Sequence, residues 1–285
     1  MTLMSTQYRK VVWCILPALV ASVLVLVSSS VVAAGQQRGP RRPGAAPLIP
    51  GNGPRDFDAQ WSPANPQIYA DWKFPDDVIP PDKLVEATKD NGRLVEKIDD
   101  YLQPWAVAKR REHVRLNDLN DIEGIFQLTP ESSCRPYTMP GEFQESVFAF
   151  QYTLTPKVLV IQRWNEGVIR LIHIDSPHPE PLKPTWMGHS AGHWEGDTLV
   201  VDTAGFNDGG KLYPGVPHTE KLHMTARYRL INDGSLMEII YSYDDPGSVL
   251  RPFRFARILQ RGIPRQSQEA ICGENNKELE GVYNR

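Results

Sequence analysis

Beyond Cys134 the chain alternates apolar and polar side chains with a period of two, the pattern of strands that bury one face. Eight such stretches can be read: 148–154, 158–164, 168–174, 188–194, 197–203, 222–231, 235–243 and 253–260. Three junctions are short and end in glycine, Asn165-Glu166-Gly167, Glu195-Gly196 and Asn232-Asp233-Gly234, where a tight turn calls for positive φ. Three successive hairpins make a meander, so the predicted fold is mainly β. About eight antiparallel strands suffice to curl into an up-and-down, calycin-like barrel without free edges. A flat or half-open sheet packed on helices meets the same pattern. The register at Glu195-Gly196 is open. A two-residue turn there sets His189 opposite Asp202 and His193 opposite Thr198, whereas a three-residue loop with a bulge at Gly196 sets His189 opposite Val201.

Upstream the period changes. Leu84, Val85, Leu94, Val95, Ile98 and Leu102 recur at three- and four-residue intervals, which predicts a helical segment before the β domain. Its 89–102 stretch should pack Leu94, Val95, Ile98 and Leu102 on the sheet, and Pro104 ends or kinks it. A second short helix is expected over 105–116, with Lys109, Arg110, Arg111, His113 and Arg115 as its wet face. Residues 36–81 are dense in proline and glycine, a composition that argues against a helix or a central strand. Up to about Arg55 this stretch has almost nothing large and apolar and reads as a disordered leader. Trp61, Tyr69, Trp72 and Phe74 read instead as an extended arm lying against the domain.

The first residues add a compartment. Arg9 and Lys10 precede an uncharged apolar run over 11–27, and Val32, Ala33 and Ala34 offer the small residues a signal peptidase needs. Residues 1–34 therefore read as a signal peptide, or as an uncleaved anchor, since the run is almost long enough to span a bilayer. The expected order is then 1–34 signal, 35–81 leader and arm, 82–120 helical segment and 121–285 antiparallel β domain. Either version places the rest in the periplasm or outside the cell. Removing the signal, with Cys14 in it, leaves Cys134 and Cys272. One disulfide is the economical inference in an oxidising compartment, stabilising by roughly 3–5 kcal/mol; two buried free thiols are the other reading. No C-x-x-C pair supports redox chemistry or structural zinc. A net charge of -3 offers no basic surface for phosphates, so nucleic acid is set aside, and a membrane enters only through an uncleaved N-terminus.

The candidate chemistry is histidine. Six of the 7 histidines, His173, His178, His189, His193, His218 and His223, fall between 173 and 223. Imidazole is suited to proton transfer near neutral pH and to metals. His189 and His193 have the helical spacing of a metal pair, but Gly188, Ser190 and Gly192 disfavour a helix, and on a strand the two stand about 13 Å apart. No metal or cofactor is expected. Gly188-His189-Ser190-Ala191-Gly192 has G-x-S-x-G spacing, yet it opens a hairpin where a nucleophile elbow needs a strand-to-helix turn. A carboxylate opposite His189 would orient the ring as a base, which nominates His189 with Asp202, and nominates His193, Trp194 and Asp175 as binding residues nearby. His218 follows Pro217 in a loop, where polar residues on a rigid sheet are good candidates for function.

The run Trp186-Met187-Gly188-His189-Ser190-Ala191-Gly192-His193-Trp194-Glu195-Gly196-Asp197-Thr198-Leu199-Val200-Val201-Asp202-Thr203 resembles a large group of uncharacterised secreted bacterial proteins with a W-E-G-D-T-L-V-V-D-T core. Leu102-Gln103-Pro104-Trp105-Ala106, Gly215-Val216-Pro217-His218-Thr219 and Cys272-Gly273-Glu274-Asn275-Asn276 match further segments of that group. Asp175-Ser176-Pro177 stands where D-G-R is usual, and His193 replaces an arginine. The resemblance implies export and a shared architecture, favours His218 among the histidines, and implies no activity. The leading expectation is an exported barrel that binds a small, largely apolar molecule in its interior. The alternative is an extracytoplasmic isomerase, cyclase or hydrolase with His218 or His189 as acid or base and Asp202 or Asp175 as partner. A third reading is an envelope protein that docks on a partner through its arm.

Overall fold

A computed structural model describes residues 48–81, 98–118, 139, 149–163, 168–212 and 215–263, with the backbone alone from residue 113 to 118. All of these fall in the compact unit Pro47–Arg285. The expected signal peptide, the Cys134–Cys272 bond and most of the first expected helix lie outside the described residues.

The period-two pattern folds because one face of every strand turns inward. In β4 (Val158–Arg163) Leu159, Ile161 and Arg163 are buried, while Val158, Val160 and Gln162 between them are only partly covered. β5 (Ile169–Ile174) pairs antiparallel with β4 and buries Arg170, Ile172 and Ile174 on the same side. The other strands are β1 (Ala59–Pro63), β2 (Val78–Ile79), β3 (Phe150–Leu154), β6 (His189–Glu195), β7 (Thr198–Ala204), β8 (Lys211–Leu212), β9 (Val216–Pro217), β10 (His223–Ile231), β11 (Leu236–Asp244) and β12 (Phe253–Gly262). Among the described residues nine of them close a barrel in the order β1-β3-β4-β5-β6-β7-β10-β11-β12, with β12 returning to β1. All three expected hairpins, β4–β5, β6–β7 and β10–β11, form.

Two features of the expected architecture are corrected. The barrel is mixed, because β5 and β6 run parallel, with Ile172 opposite Ser190 and Ile174 opposite Gly192. The connection through 175–188 is long enough to return to the end where β5 began, so β6 starts there. The helix also does not precede all the strands. β1 and β2 come before α1 (Pro104–Asp118), and β1, from the proline-rich stretch, lies between β3 and β12. Pro63 is tolerated because it is the last residue of β1, while Ala59, Gln60 and Trp61 supply the pairing to β3. Downstream of Trp61, which is fully buried in the barrel, the arm lies on the outer face, where Tyr69, Trp72 and Phe74 pack with Ile231, Leu236 and Ile258. Trp72 Nε1 donates to Glu238 Oε1 at 2.8 Å, and Arg229 meets the other oxygen of that carboxylate at 2.7 Å.

Ile98 and Leu102 enter the barrel core as expected, and Leu102 bridges to Val249. Pro104 is the first residue of α1, where its missing N–H costs nothing. The basic run is not wholly a wet face. Arg110 is buried and reaches Asp99 at 3.4 Å, while Arg111 holds the same carboxylate at 3.0 Å from the surface.

Inside the barrel the core is mostly apolar; besides Arg163 it buries Arg170. This buried guanidinium donates to Tyr228 Oη at 2.8 Å, Thr203 Oγ1 at 3.0 Å and Ser190 Oγ at 3.1 Å. Its partners are neutral hydroxyls. Tyr152 and Tyr241, fully enclosed close by, have phenols that burial pushes well above the usual range.

Candidate functional site

Turning one face of each strand inward sends the intervening residues outward, and four histidines leave the barrel on one patch of its outer wall. The β6–β7 register decides their placement. Glu195 pairs with Thr198, Ala191 with Asp202 and His189 with Ala204, so neither expected register is adopted. The turn residues are Gly196 and Asp197. Gly196 has φ +58°, which is the first central position of a type II′ turn, a position that favours glycine. Asp202 is therefore diagonal to His189 on the outer face, and not opposite it.

The gap is filled by His178, carried back from the 175–188 connection. Its Nε2 donates to Asp202 Oδ2 at 2.8 Å, and its Nδ1 lies 2.8 Å from Nδ1 of His189. His189 stacks on His173, with rings 4.9 Å apart and only 2° from parallel. On the far side, from β10, His223 Nε2 approaches Asp202 Oδ1 to 2.7 Å, off the line of a well-formed hydrogen bond. Gly188, at φ +64°, turns the chain into this patch, and a Cβ there would lie 2.9 Å from the Ala204 carbonyl.

The electrostatics follow from these contacts. Burial makes the His189 cation unfavourable, and neighbouring His178 and His173 add like charge, so its pKa falls below the ordinary imidazole value. Contact with Asp202 outweighs desolvation at His223 and raises its pKa. At Asp202 burial opposes ionisation, but the contacts from His223 and His178 prevail and hold the carboxyl below its usual range. Asp202 is thus a fixed anion between two imidazoles.

Two like nitrogens at hydrogen-bond distance hold one proton between them. With that proton on His189, the neutral pair leaves the His189 Nε2 lone pair free to accept another. When Nε2 takes a proton, the shared proton can cross to His178 Nδ1. His189 then returns to neutrality, and the positive charge rests on His178 against the Asp202 carboxylate. Asp202 need not accept a proton at any stage. The arrangement is a two-imidazole proton relay anchored by a carboxylate. Among the described residues no group of three or more His, Cys, Asp or Glu side chains is placed to hold a metal ion, and His178 uses both of its nitrogens within the chain.

The other sequence-nominated residues disperse. His193 is exposed on the outer face and meets Glu195 at 3.3 Å. Trp194 turns inward and packs edge-on against Phe57 at 5.4 Å, with Arg55 over its ring. Asp175 forms a turn at φ +52°, and its backbone N–H donates to Gly192. His218 is nearly fully buried. Its Nδ1 donates to the Thr219 carbonyl at 3.2 Å, Nε2 has no partner among the described residues, and burial lowers its pKa. The edge of Phe206 packs on His218 at 5.9 Å, and the Phe206 ring also lies 3.0 Å from where a Cβ of Gly188 would sit. Among the described residues His218 makes no hydrogen bond or ring contact with the members of the relay. Ser190, the serine of the G-x-S-x-G spacing, points into the barrel and bonds Arg170 and Thr203.

Sequence reasoning missed His178, His173 and His223 as members of the cluster. Their crowding between 173 and 223 was the available signal, since period-two spacing puts His173, His189 and His223 on outward positions of their strands. No protein-family model matches the chain, and no curated protein matches it.

Proposed function

We propose that this chain is an exported β-barrel protein that performs acid–base chemistry on a small molecule at the outer wall. His189 is the proton acceptor and donor, His178 takes up the charge, and Asp202 is its anion. The observation that supports this reading is His178 itself, with one ring nitrogen on Asp202 and the other on His189, both at 2.8 Å. An imidazole kept neutral and backed by an oriented partner is the equipment of general acid–base catalysis. Proton transfer of the isomerase or cyclase kind fits better than hydrolysis through a serine nucleophile, because Ser190 is turned inward.

The interior-binding expectation gains less support. The inward faces meet in one cluster in which Trp61, Tyr228, Tyr243 and Phe255 are fully buried. The docking reading is weakened too, since the arm's aromatics are spent on the chain's own barrel. Export rests on the basic residues, apolar run and small residues that open the chain. Sequencing the N-terminus of protein recovered from the periplasm should find a start at Ala34 or Gly35.

The test of activity uses a panel of small ketones in D2O, with loss of the α-proton followed by NMR. Wild-type protein should exchange at least one of them. His189→Ala and His178→Ala should abolish that exchange, and His193→Ala should leave it intact. No exchange with any member, or full exchange by His189→Ala, would overturn the reading.

A further inference from the structure

Away from the relay, four parts of the chain enclose an open cleft of about 680 Å³, within the range of small-molecule sites. Trp105 and Lys109 come from the first turns of α1, Asp208 from the β7–β8 connection, His218 to Lys221 from the segment after β9, and Gly247 from the β11–β12 loop. The walls are fixed to one another. Asp245, fully buried, accepts from Thr219 N at 2.6 Å, Thr219 Oγ1 at 2.7 Å, Gly247 N at 3.0 Å and Ser248 Oγ at 2.8 Å. Gln103 N donates to the Ser248 carbonyl, which ties the start of α1 to the same loop. A carboxylate satisfied by four donors holds the site in shape without entering it.

We infer that this cleft is a binding site for a neutral saccharide. Three observations carry the inference. Trp105 is pinned by its Nε1–H, which donates to the Gly247 carbonyl at 2.8 Å, yet the residue remains 43% exposed. A clamped aromatic in a cleft is a platform for a flat apolar surface such as the C–H face of a sugar ring. Around it stand two ammonium groups, Lys109 and Lys221, and two carboxylates, Asp208 and Glu220, none of which forms an ion pair among the described residues. A ligand of net charge gains from one pair and loses to the other. Hydroxyl groups donate to the carboxylates and accept from the ammonium groups, so a neutral polyol satisfies both. Finally, His218 borders the cleft with its Nδ1–H spent on Thr219 and its Nε2 buried without a donor among the described residues. A buried acceptor left without a donor is unfavourable, and a hydroxyl entering from the cleft is the donor it lacks.

The full mature chain, probed on an array of neutral mono- and oligosaccharides alongside uronic acids, sugar phosphates and amino sugars, tests this. At least one neutral sugar should bind, with saturation transfer from the protein to its ring protons, and Trp105→Ala should weaken that binding about tenfold or more. Glu220→Lys, on the exposed rim where folding is not at stake, should shift preference towards the anionic sugars. No neutral binder on the array, preference of wild-type protein for a charged class, or neutral binding unchanged in both variants would overturn the inference. The His189→Ala protein should bind the same sugar normally, which separates this site from the relay.

Discussion

His178 and His189 face each other through like atoms, Nδ1 to Nδ1 at 2.8 Å, so neither ring can be protonated at that position without settling the state of the other. The two therefore share one proton. Nitrogen-15 spectra of histidine-labelled protein should show one Nδ1 of the pair bearing the proton and the other accepting it, with a scalar coupling across the bond, and His178→Ala should abolish that coupling. No coupling between the two Nδ1 atoms in the wild type would mean that the pair does not share a proton.

Asp202→Asn removes the anion that His178 and His223 share. His223, whose pKa stands above the ordinary imidazole value because of Asp202, should titrate at lower pH in the variant. The shift is read from the same spectra. A His223 curve unmoved by Asp202→Asn would show that the 2.7 Å contact has no electrostatic consequence.

His223 and His189 act on stability in opposite directions. The raised pKa of His223 means that the folded state holds its proton more tightly, so its contribution is fully present below the unfolded pKa of about 6.5 and is lost as pH rises through the folded value. The lowered pKa of His189 means that the unfolded state binds the proton more readily, so acidification through the same region costs stability. The two variants should therefore separate. His223→Gln should lose stability relative to wild type in mild acid and match it at alkaline pH, while His189→Gln should fare relatively better in mild acid. Urea denaturation at a series of pH values measures both, and a His223→Gln deficit that grows towards alkaline pH would contradict the assignment.

Arg170 is a buried cation whose partners among the described residues are all hydroxyls. Removing the charge should be gentler than removing its acceptors. Arg170→Met leaves Ser190 and Thr203 bonded to each other at 3.0 Å, whereas Ser190→Ala with Thr203→Ala leaves the guanidinium with Tyr228 as its remaining acceptor, at a cost of about 3 kcal/mol or more. Denaturant midpoints should rank the double variant below Arg170→Met. The reverse order would indicate that Arg170 holds the barrel together by more than these bonds.

Ile98 is fully buried where the chain approaches α1. Ile98→Leu keeps the volume and should cost under about 1.5 kcal/mol, while Ile98→Asp buries a charge and should cost several. Equal melting temperatures for the two would place Ile98 outside the core.

What could be read from the chain was what depends on neighbours in sequence. The alternation in Leu159, Ile161 and Arg163, and the glycines at Gly196 and Gly234, specify strands and turns over a few residues, and those formed. The direction of β6 depended on the path of 175–188, which no local period encodes. β1 was hidden because Ala59, Gln60 and Trp61 are too few to show a period and stand among prolines. The site divided in the same way. The outward placement of His189 and Asp202 was legible, but moving the turn by one residue shifted the pairing by two and made them diagonal. The link between them, His178, comes from a loop whose return could not be read from spacing. The burial of His218 likewise came from distant partners, Phe206 among them.

The closure of the barrel has a consequence for how the chain reaches this state. Gln60 pairs with Gly262 and Trp61 with Arg261, so the wall is complete only when nearly the first and the last described segments have met. Until then β3 and β12 each present an unpaired edge, and no local contact can shield them. A chain threaded N-terminus first through a membrane would deliver β1 long before its partner exists. Closure would be the slow event of folding, and the interval before it would be the time when the β1 segment of one copy could complete the barrel of another.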